Sequence, residues 1–188
     1  MPTLDLQQEL KARGAVLDGH FRLSSGRHSN RFIQKFRILE DPTILEPLAR
    51  DIADAFRDAK PTIVVSAAVG GIILGYEVAR ALGTKAIFVE KQDGVPVLRR
   101  NFALGAADRV LVVEDVVTTG GSVKEVLDVV RKSGAHAVGV GVIVRRGEAD
   151  LGVPTHALLD MPIVSHDPGA CPQCAGGEPI TDPGSRRA

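Results

Sequence analysis

The sequence predicts an α/β protein with a doubly wound, mainly parallel sheet flanked by helices. Apolar runs rich in β-branched residues occur at 62–66, 85–89 and 110–113, and such runs are typical of strands buried on both faces. Helical spacing of apolar residues follows the first run at 72–82 and the third at 123–130. Turns rich in small residues join these strands to their helices. This strand–turn–helix order is that of βα units, which have right-handed crossovers.

Length, composition and net charge limit the classes to which the protein can belong. The chain has 188 residues, enough for one domain with a sizeable core. Lysine plus arginine and aspartate plus glutamate both number 23, and this zero net charge disfavours a nucleic-acid partner, since such binders usually carry a basic excess. No apolar run approaches the roughly 18 residues of a membrane span. A polar start and only two cysteines predict a cytoplasmic protein with neither signal peptide nor disulfide framework.

Apolar runs and helical spacing of apolar residues also predict the other elements of a single domain. We expect an N-terminal segment at 1–40, an α/β core at 41–164 and a tail at 165–188. Beyond those already named, the predicted elements are a short helix over 3–13, strand-like pieces within 15–35, an amphipathic helix over 44–59, a long connection over 90–106, and strands at 137–144 and 156–160.

The stretch from 110 to 122 combines a strand, two acids and a small-residue turn before a helix. Backbone N–H groups at such a helix start bind anions, while paired carboxylates hold Mg²⁺ through water or accept hydrogen bonds from sugar hydroxyls. Ser122 and Glu125 match a capping box, which predicts a helix start at Ser122, and Gly134 suits its end. After the apolar strand the residues are Glu114, Asp115, Val116, Val117, Thr118, Thr119, Gly120, Gly121 and Ser122.

This stretch resembles the signature with which type I phosphoribosyltransferases bind 5-phosphoribosyl 1-diphosphate (PRPP). It lacks the lysine of an ATP-binding P-loop. A second block, F-x-L-x-S-G-x-x-S over 21–29, resembles the substrate-binding segment of the orotate branch of that family. The resemblance covers nearly the whole chain. It implies the type I phosphoribosyltransferase fold with a small N-terminal lid, and transfer of phosphoribose from PRPP to orotate in a homodimer with shared active sites.

The resemblance also implies roles for individual residues. Glu114 and Asp115 are expected to hold the ribose hydroxyls, and residues 116–122 the 5′-phosphate. Mg²⁺ is expected mainly on substrate oxygens and water, with no ligand assigned to the protein. The turn with Gly70 and Gly71 is expected at the pyrophosphate, together with Lys91 and either Arg99 or Arg100 from the long connection. Expected orotate contacts are Thr118, Arg146, Ser25 and Gly26, and the expected catalytic residues are Asp115, Glu114 and Lys91.

The chain departs from the family pattern at some positions, and two alternatives stay open. Ser24 stands where many members carry a substrate-side lysine, so Arg27, His28 or Lys35 could supply that charge. Arg145 replaces a commoner aspartate. One alternative is a type I transferase for a purine or another base. The other is a non-catalytic PRPP-sensing regulator, which usually needs a DNA-binding appendage.

The tail contains Cys171-Pro-Gln-Cys174, half of the ligand set of a zinc site. A complete site would need His166, His156 or a second copy of the motif from a partner subunit. The alternative interpretation is a surface turn with two reduced thiols.

Overall fold

The computed structural model describes residues 6–23 and 25–183. The chain divides into two compact units, one made of Met1–Ile38 with Pro162–Ala188 and the other of Leu39–Met161. In chain order the elements are α1 (Leu6–Ala12), β1 (Val16–Arg22), β2 (His28–Ile33), α2 (Phe36–Leu39), α3 (Pro42–Phe56), β3 (Ile63–Ala67), α4 (Gly71–Leu82), β4 (Lys85–Gln92), β5 (Val95–Leu98), β6 (Arg109–Val117), α5 (Gly121–Lys132), β7 (His136–Arg145), β8 (Thr155–Asp160) and α6 (Pro172–Ala175).

The larger unit contains a six-stranded sheet in the order β5-β4-β3-β6-β7-β8. All neighbouring pairs are parallel except β4 with β5. The predicted fold class is therefore confirmed. Strands β3 and β6 lie at the centre, and the order of the strands changes direction there. In open sheets of this kind ligands bind beyond the carboxyl ends of the strands at that point.

Helices cover both faces of this sheet. The buried stripe of α5, which includes Val123 and Leu127, packs on side chains from one face, among them Val112 and Val142. On the other face α3 lies so close to β7 that the strand carries glycine where the helix crosses. A Cβ atom at Gly139 would come 2.2 Å from Phe56 Cε1 and 2.9 Å from the carbonyl oxygen of Pro154.

We expect Gly139→Ala to lower the free energy of unfolding by about 1–3 kcal/mol, the usual cost of overpacking. Phe56 can turn aside only in part, and the Pro154 carbonyl is backbone and cannot. The urea midpoint measures the loss. Gly105→Ala is the matched control, because a methyl group there meets no atom within 4 Å. Equal midpoints for the two variants would show that β7 and α3 are not packed this closely.

The structure corrects two predictions around the central strand. β6 continues to Val117, so Glu114 and Asp115 lie within the strand and not beyond its end. The expected capping box is also wrong. α5 begins at Gly121 with Gly120 as its N-cap, and no side chain caps it. Gly134 follows the helix with φ 79°, as its predicted place at the helix end requires.

The predicted long connection over 90–106 is wrong in its first half, which forms a β-hairpin of β4 and β5. Asp93 and Gly94 form its turn with φ angles of 52° and 80°. Asp-Gly is the residue pair that favours a type I′ turn, so the sequence contained a hairpin signal. Among the described residues no helix has the length and apolarity to cross a membrane.

The smaller unit is an antiparallel hairpin of β1 and β2 with chain from both ends of the sequence around it. The tail pairs with both strands. Thr181 exchanges backbone hydrogen bonds with His20 and Arg22, at 2.8 and 2.9 Å, and His166 pairs with His28 through two bonds of 2.8 Å. Helix α1 covers 6–12 of the helix predicted over 3–13, whose first three residues lie outside the described chain.

Candidate active site

Two buried acids stand near the carboxyl end of β6. Glu114 is 7% exposed and Asp115 is 2% exposed. The backbone N–H of Asp115 donates to Glu114 Oε1 at 3.3 Å, and that of Val116 donates to Asp115 Oδ1 at 2.7 Å. Burying two neighbouring carboxylates costs free energy that core packing does not require, which indicates a role in binding or catalysis.

The loop after these acids has the geometry of an anion cradle. Gly120 adopts a left-handed φ of 77°, and a Cβ atom there would lie 2.7 Å from Leu151 Cδ2. Only glycine fits this position without strain, because both the backbone angle and the space forbid a side chain. Since α5 has no side-chain cap, its first N–H groups point past Gly121 and Ser122 without a capping oxygen.

Arg146 lies directly beside this loop. Its backbone N–H donates to the Val117 carbonyl at 2.8 Å, and a Cβ atom at the next residue, Gly147, would lie 3.2 Å from the Thr118 carbonyl oxygen. The Arg146 side chain is half-buried, and its Nε has no hydrogen-bond partner among the described residues. Burial lowers the pKa of Arg146 from its usual value. A partly desolvated guanidinium with an unused donor is suited to bind an anionic ligand.

Arg145 is arranged differently. It is more exposed and forms a two-point ion pair with Asp160, with Nε to Oδ1 at 2.5 Å and Nη2 to Oδ2 at 2.8 Å. The hydrogen bond from Arg145 lowers the pKa of Asp160. Of these two adjacent arginines, Arg146 therefore has a donor to offer a ligand, whereas Arg145 is engaged within the sheet edge.

The glycine turn after β3 borders the acids. A Cβ atom at Gly71 would come 2.9 Å from Ser66 Cβ and 3.6 Å from Glu114 Oε1, so the start of α4 lies against that carboxylate. Gly70 is the N-cap of α4 and makes no side-chain cap bond. The peptide bond between Ala68 and Val69 in this turn is cis. The two strand–turn–helix units thus meet at Glu114.

Two basic residues, one in the β4–β5 hairpin and one just after it, are held by carboxylates. Lys91 Nζ lies 2.8 Å from Glu125 Oε1 on α5. Arg100 donates to both carboxylate oxygens of Glu90, from Nε at 3.1 Å and from Nη2 at 3.0 Å, and these hydrogen bonds lower the pKa of Glu90. Arg99 contributes to the same lowering through its charge. Lys91 and Arg100 must exchange these partners before they can bind a ligand. The pairing of these basic residues with Glu125 and Glu90 was not predicted, since pairing across a hairpin or to a helix has no local signal in the sequence.

The predicted residues of the N-terminal segment lie in the smaller unit. Ser25 and Gly26 form the turn between β1 and β2, where Gly26 has φ 79°, and Ser24 lies outside the described residues. Arg27 is bound to the tail instead of offering its charge: its Nη1 lies 2.6 Å from Asp167 Oδ1. His28 is buried among other side chains. Both residues are therefore engaged within the smaller unit, which argues against either of them replacing the missing lysine.

Comparison with known proteins decides the family. The family model described as "Phosphoribosyl transferase domain" matches residues 37–157. The orotate phosphoribosyltransferase of Pelotomaculum thermopropionicum is 52% identical over 176 residues, covering 93% of each chain. The chain belongs to the orotate phosphoribosyltransferase family. The enzyme of that name from Desulforamulus reducens is 48% identical over 93% of this chain and 92% of its own.

Solved structures agree with this family. The orotate phosphoribosyltransferase of Aeropyrum pernix superposes with a TM-score of 0.70 at 30% identity, covering 82% of this chain and 93% of that one. An adenine phosphoribosyltransferase from Thermoanaerobacter pseudethanolicus superposes with a TM-score of 0.60 at 17% identity, covering 70% of this chain and 88% of that one, which shows the shared fold alone. The recognition made from residues 110–122 and the 21–29 block is thus confirmed.

Proposed function

We propose that this member of the orotate phosphoribosyltransferase family transfers phosphoribose from PRPP to orotate, giving orotidine 5′-phosphate and pyrophosphate in pyrimidine synthesis. The observation that carries the choice of acceptor is Arg146, a half-buried guanidinium with an unused Nε donor beside the phosphate loop. Orotate is a carboxylate, and a guanidinium binds carboxylates with two parallel hydrogen bonds. A neutral purine would leave this partly desolvated charge without a partner.

The loop after β6 supports the assignment of PRPP as the phosphoribosyl donor. The N–H groups at the uncapped start of α5, together with the hydroxyls of Thr118, Thr119 and Ser122, would bind the 5′-phosphate. The Gly70–Gly71 turn at the start of α4 supplies further backbone N–H groups for the pyrophosphate. The two helix starts meet at Glu114, and each can bind an anion. Together they can hold a ribose that carries phosphate at one end and pyrophosphate at the other.

Glu114 and Asp115 act on the ribose between these two anion-binding helix starts. When pyrophosphate leaves C1, positive charge develops on the ribose ring, and Glu114 and Asp115 stabilise it while accepting hydrogen bonds from the hydroxyls. A buried carboxylate pair beside phosphate-binding turns also fits Mg²⁺, which takes one or two carboxylates together with substrate oxygens and water. When bound, Mg²⁺ would neutralise the charge of the pyrophosphate. Orotate arrives as an anion and needs no general base.

Lys91 serves the leaving group in this proposal. It must leave Glu125, 2.8 Å away, to reach the pyrophosphate, so donor binding exchanges one anion for another. Because the pair is exposed, breaking it costs little, about 0–1 kcal/mol. Arg99 or Arg100 is the second cation of the leaving-group site, and Arg100 would exchange Glu90 in the same way.

We expect Lys91→Ala to lower kcat by about tenfold or more, which corresponds to about 1.4 kcal/mol of lost transition-state stabilisation. The reason is that its charge compensates the pyrophosphate only as the bond to C1 breaks. Steady-state kinetics at saturating PRPP measures this. Lys85→Ala is the control, since Lys85 is an exposed lysine at the opposite end of the same strand. A kcat equal to that of the control would remove Lys91 from the leaving-group site.

Turnover with a panel of bases tests the acceptor. Orotate, hypoxanthine, xanthine and adenine are offered with PRPP, with and without Mg²⁺, and pyrophosphate release is followed. We expect Mg²⁺-dependent turnover with orotate alone. Turnover of a purine but not of orotate would make the chain a purine transferase. No turnover together with PRPP-dependent DNA binding would make it a regulator.

Assembly and compartment complete the proposal. An exposed apolar patch at the start of α4 supports a homodimer: Val69 is 74% exposed, Ile73 48% and Tyr76 67%. Light scattering measures the mass in solution, and a monomer at micromolar concentration would contradict the dimer. Cys171 and Cys174 form no disulfide, which suits the reducing cytoplasm. The contact of Ser25 and Gly26 with the base stays a prediction.

A further inference from the structure

Four potential metal ligands converge in the smaller unit. They are His20 on β1, His28 on β2, and Cys171 and Cys174 at the short helix α6, and their ligand atoms all lie within 4.8 Å of one another. His20, His28 and Cys171 are buried. None of the four is a residue of the proposed active site. Two imidazoles and two thiols packed together offer little hydrogen bonding to satisfy their buried polar atoms, because sulfur is a weak donor and a weak acceptor.

The distances match a tetrahedral metal site. With metal–sulfur bonds of about 2.3 Å and metal–nitrogen bonds of about 2.0–2.1 Å, neighbouring ligand atoms of a zinc tetrahedron lie about 3.3–3.8 Å apart. Here His20 Nε2 lies 3.3 Å from His28 Nδ1 and 3.5 Å from Cys171 Sγ. Cys174 Sγ lies 3.2 Å from His28 Nδ1 and 3.7 Å from His20 Nε2. These four separations are close to those of a tetrahedron, and the remaining pairs of ligand atoms lie within 4.8 Å, so a small closure of the cluster would complete the site.

A second observation points the same way. His20 Nδ1 lies 2.9 Å from the carbonyl oxygen of Glu178, which can only accept a hydrogen bond. The proton of a neutral His20 therefore sits on Nδ1, and the lone pair of Nε2 points into the cluster. Metal-ligating histidines are oriented by this kind of hydrogen bond from the second ring nitrogen to a carbonyl or carboxylate. The carbonyl belongs to the same tail that carries both cysteines.

We propose that His20, His28, Cys171 and Cys174 form a structural zinc site that fastens the C-terminal tail to the β1–β2 hairpin. Two thiolates and two imidazoles in a tetrahedron favour Zn²⁺ over the oxygen-seeking Mg²⁺ of the catalytic site. Four protein ligands leave no position for water or substrate, so the site is structural and not catalytic. The partners His166 and His156, which the sequence suggested for the cysteines, are replaced by histidines of the hairpin.

The site would join segments far apart in the chain. Without it, the tail contacts the hairpin through backbone pairs at Thr181 and His166 and through two ion pairs, Arg22 with Asp182 and Arg27 with Asp167. Side-chain hydrogen bonds add to these contacts: Arg27 and Ser29 donate to the chain at Ser165 and Val164, and Gln173 donates to the Gly19 carbonyl. Both ion pairs are largely exposed, and exposed pairs contribute little. A metal that binds hairpin and tail together adds its binding free energy to the folded arrangement alone, because the ligands are not assembled in the unfolded chain.

Metal analysis of the purified full-length protein tests the proposal. We expect one zinc ion per chain, and after removal by a chelator and reloading with Co²⁺ we expect the visible absorption of tetrahedral, thiolate-bound cobalt. Cys174→Ser and His28→Ala should each lose this spectrum and most of the zinc. His166→Ala and His156→Ala, which remove histidines outside the cluster, should keep both. The wild-type measurements do not depend on whether a variant folds.

Thiol reactivity and thermal melting add two independent readouts. Zinc should protect both cysteines from a thiol reagent and raise Tm relative to the chelated protein, without requiring substrate or turnover. A wild-type chain that is isolated free of metal, does not take up Zn²⁺ or Co²⁺, and shows two freely reactive thiols or a Cys171–Cys174 disulfide would overturn the proposal. Loss of zinc in the His156 and His166 variants as much as in the cluster variants would overturn it as well.

Discussion

Arg146→Ala is expected to raise the KM for orotate by about 10- to 150-fold, while the KM for PRPP changes little. A hydrogen bond to a charged group contributes about 1.5–3 kcal/mol, which converts to this range. The selectivity between the two substrates follows from position: the Arg146 side chain is the one half-buried cation beside the loop with an unused donor among the described residues. Initial rates with each substrate varied in turn measure both constants.

The adjacent arginine provides the control for this experiment. Arg145→Ala removes the same kind of side chain from the neighbouring position but breaks only the exposed pair with Asp160, so both KM values should stay near those of the wild type. Stability separates the two variants further. Arg146→Ala deletes a buried Nε that has no hydrogen-bond partner in the described chain, so the urea midpoint should not fall. Equal increases in the KM of orotate and PRPP would show that Arg146 does not select the base.

Asp115→Asn is expected to lower kcat by about 100-fold, or about 2.7 kcal/mol of barrier, the scale on which an electrostatic group of an active site acts. The substitution preserves shape and can keep the hydrogen bond from the backbone N–H of Val116, so what it removes is the negative charge. That charge matters most when the ribose ring becomes positive, and the effect should therefore appear in kcat more than in either KM. Single-turnover kinetics measures the chemical step directly.

Asp128→Asn is the matched control for this variant. Asp128 is an exposed aspartate on α5 that pairs with Arg131, and its loss should leave kcat unchanged within about twofold. If Asp115→Asn also stays within about twofold, or about 0.4 kcal/mol, the charge of Asp115 plays no part in the transition state. A kcat that falls together with the urea midpoint would place Asp115 in folding and not in catalysis.

Local sequence patterns predicted much of the fold and the elements of the proposed PRPP site. The apolar runs at 62–66, 85–89 and 110–113 became the strands β3, β4 and β6, because β-branched residues in short runs suit strands buried on both faces. The acids and the loop up to Ser122 were readable because strand, acids, turn and helix start are consecutive in the chain. Errors arose at element ends, where β6 runs on through the acids and α5 has no side-chain cap.

The hairpin of β4 and β5 shows how a long apparent loop can be misread. The Asp93–Gly94 turn was visible in the sequence, yet β5 is only four residues long and includes Pro96, which weakens its strand signal. An edge position tolerates this proline, and that position follows from the sheet order, not from the segment itself. The salt bridges of Lys91 and Arg100 depend on the same hairpin, so they too were beyond a reading of neighbouring residues.

The sequence by itself determined the fold class and the family, and it predicted the PRPP-binding stretch, since each depends on residues adjacent or at a fixed spacing in the chain. Only the tertiary structure decided which arginine has an unused hydrogen-bond donor and which histidines lie beside Cys171 and Cys174. Arg146 lies beside the loop because β6 and β7 pair in the sheet. His20 and His28 lie beside the cysteines because the tail pairs with their strands. Contacts between distant segments depend on strand order and register, which local periodicity does not encode.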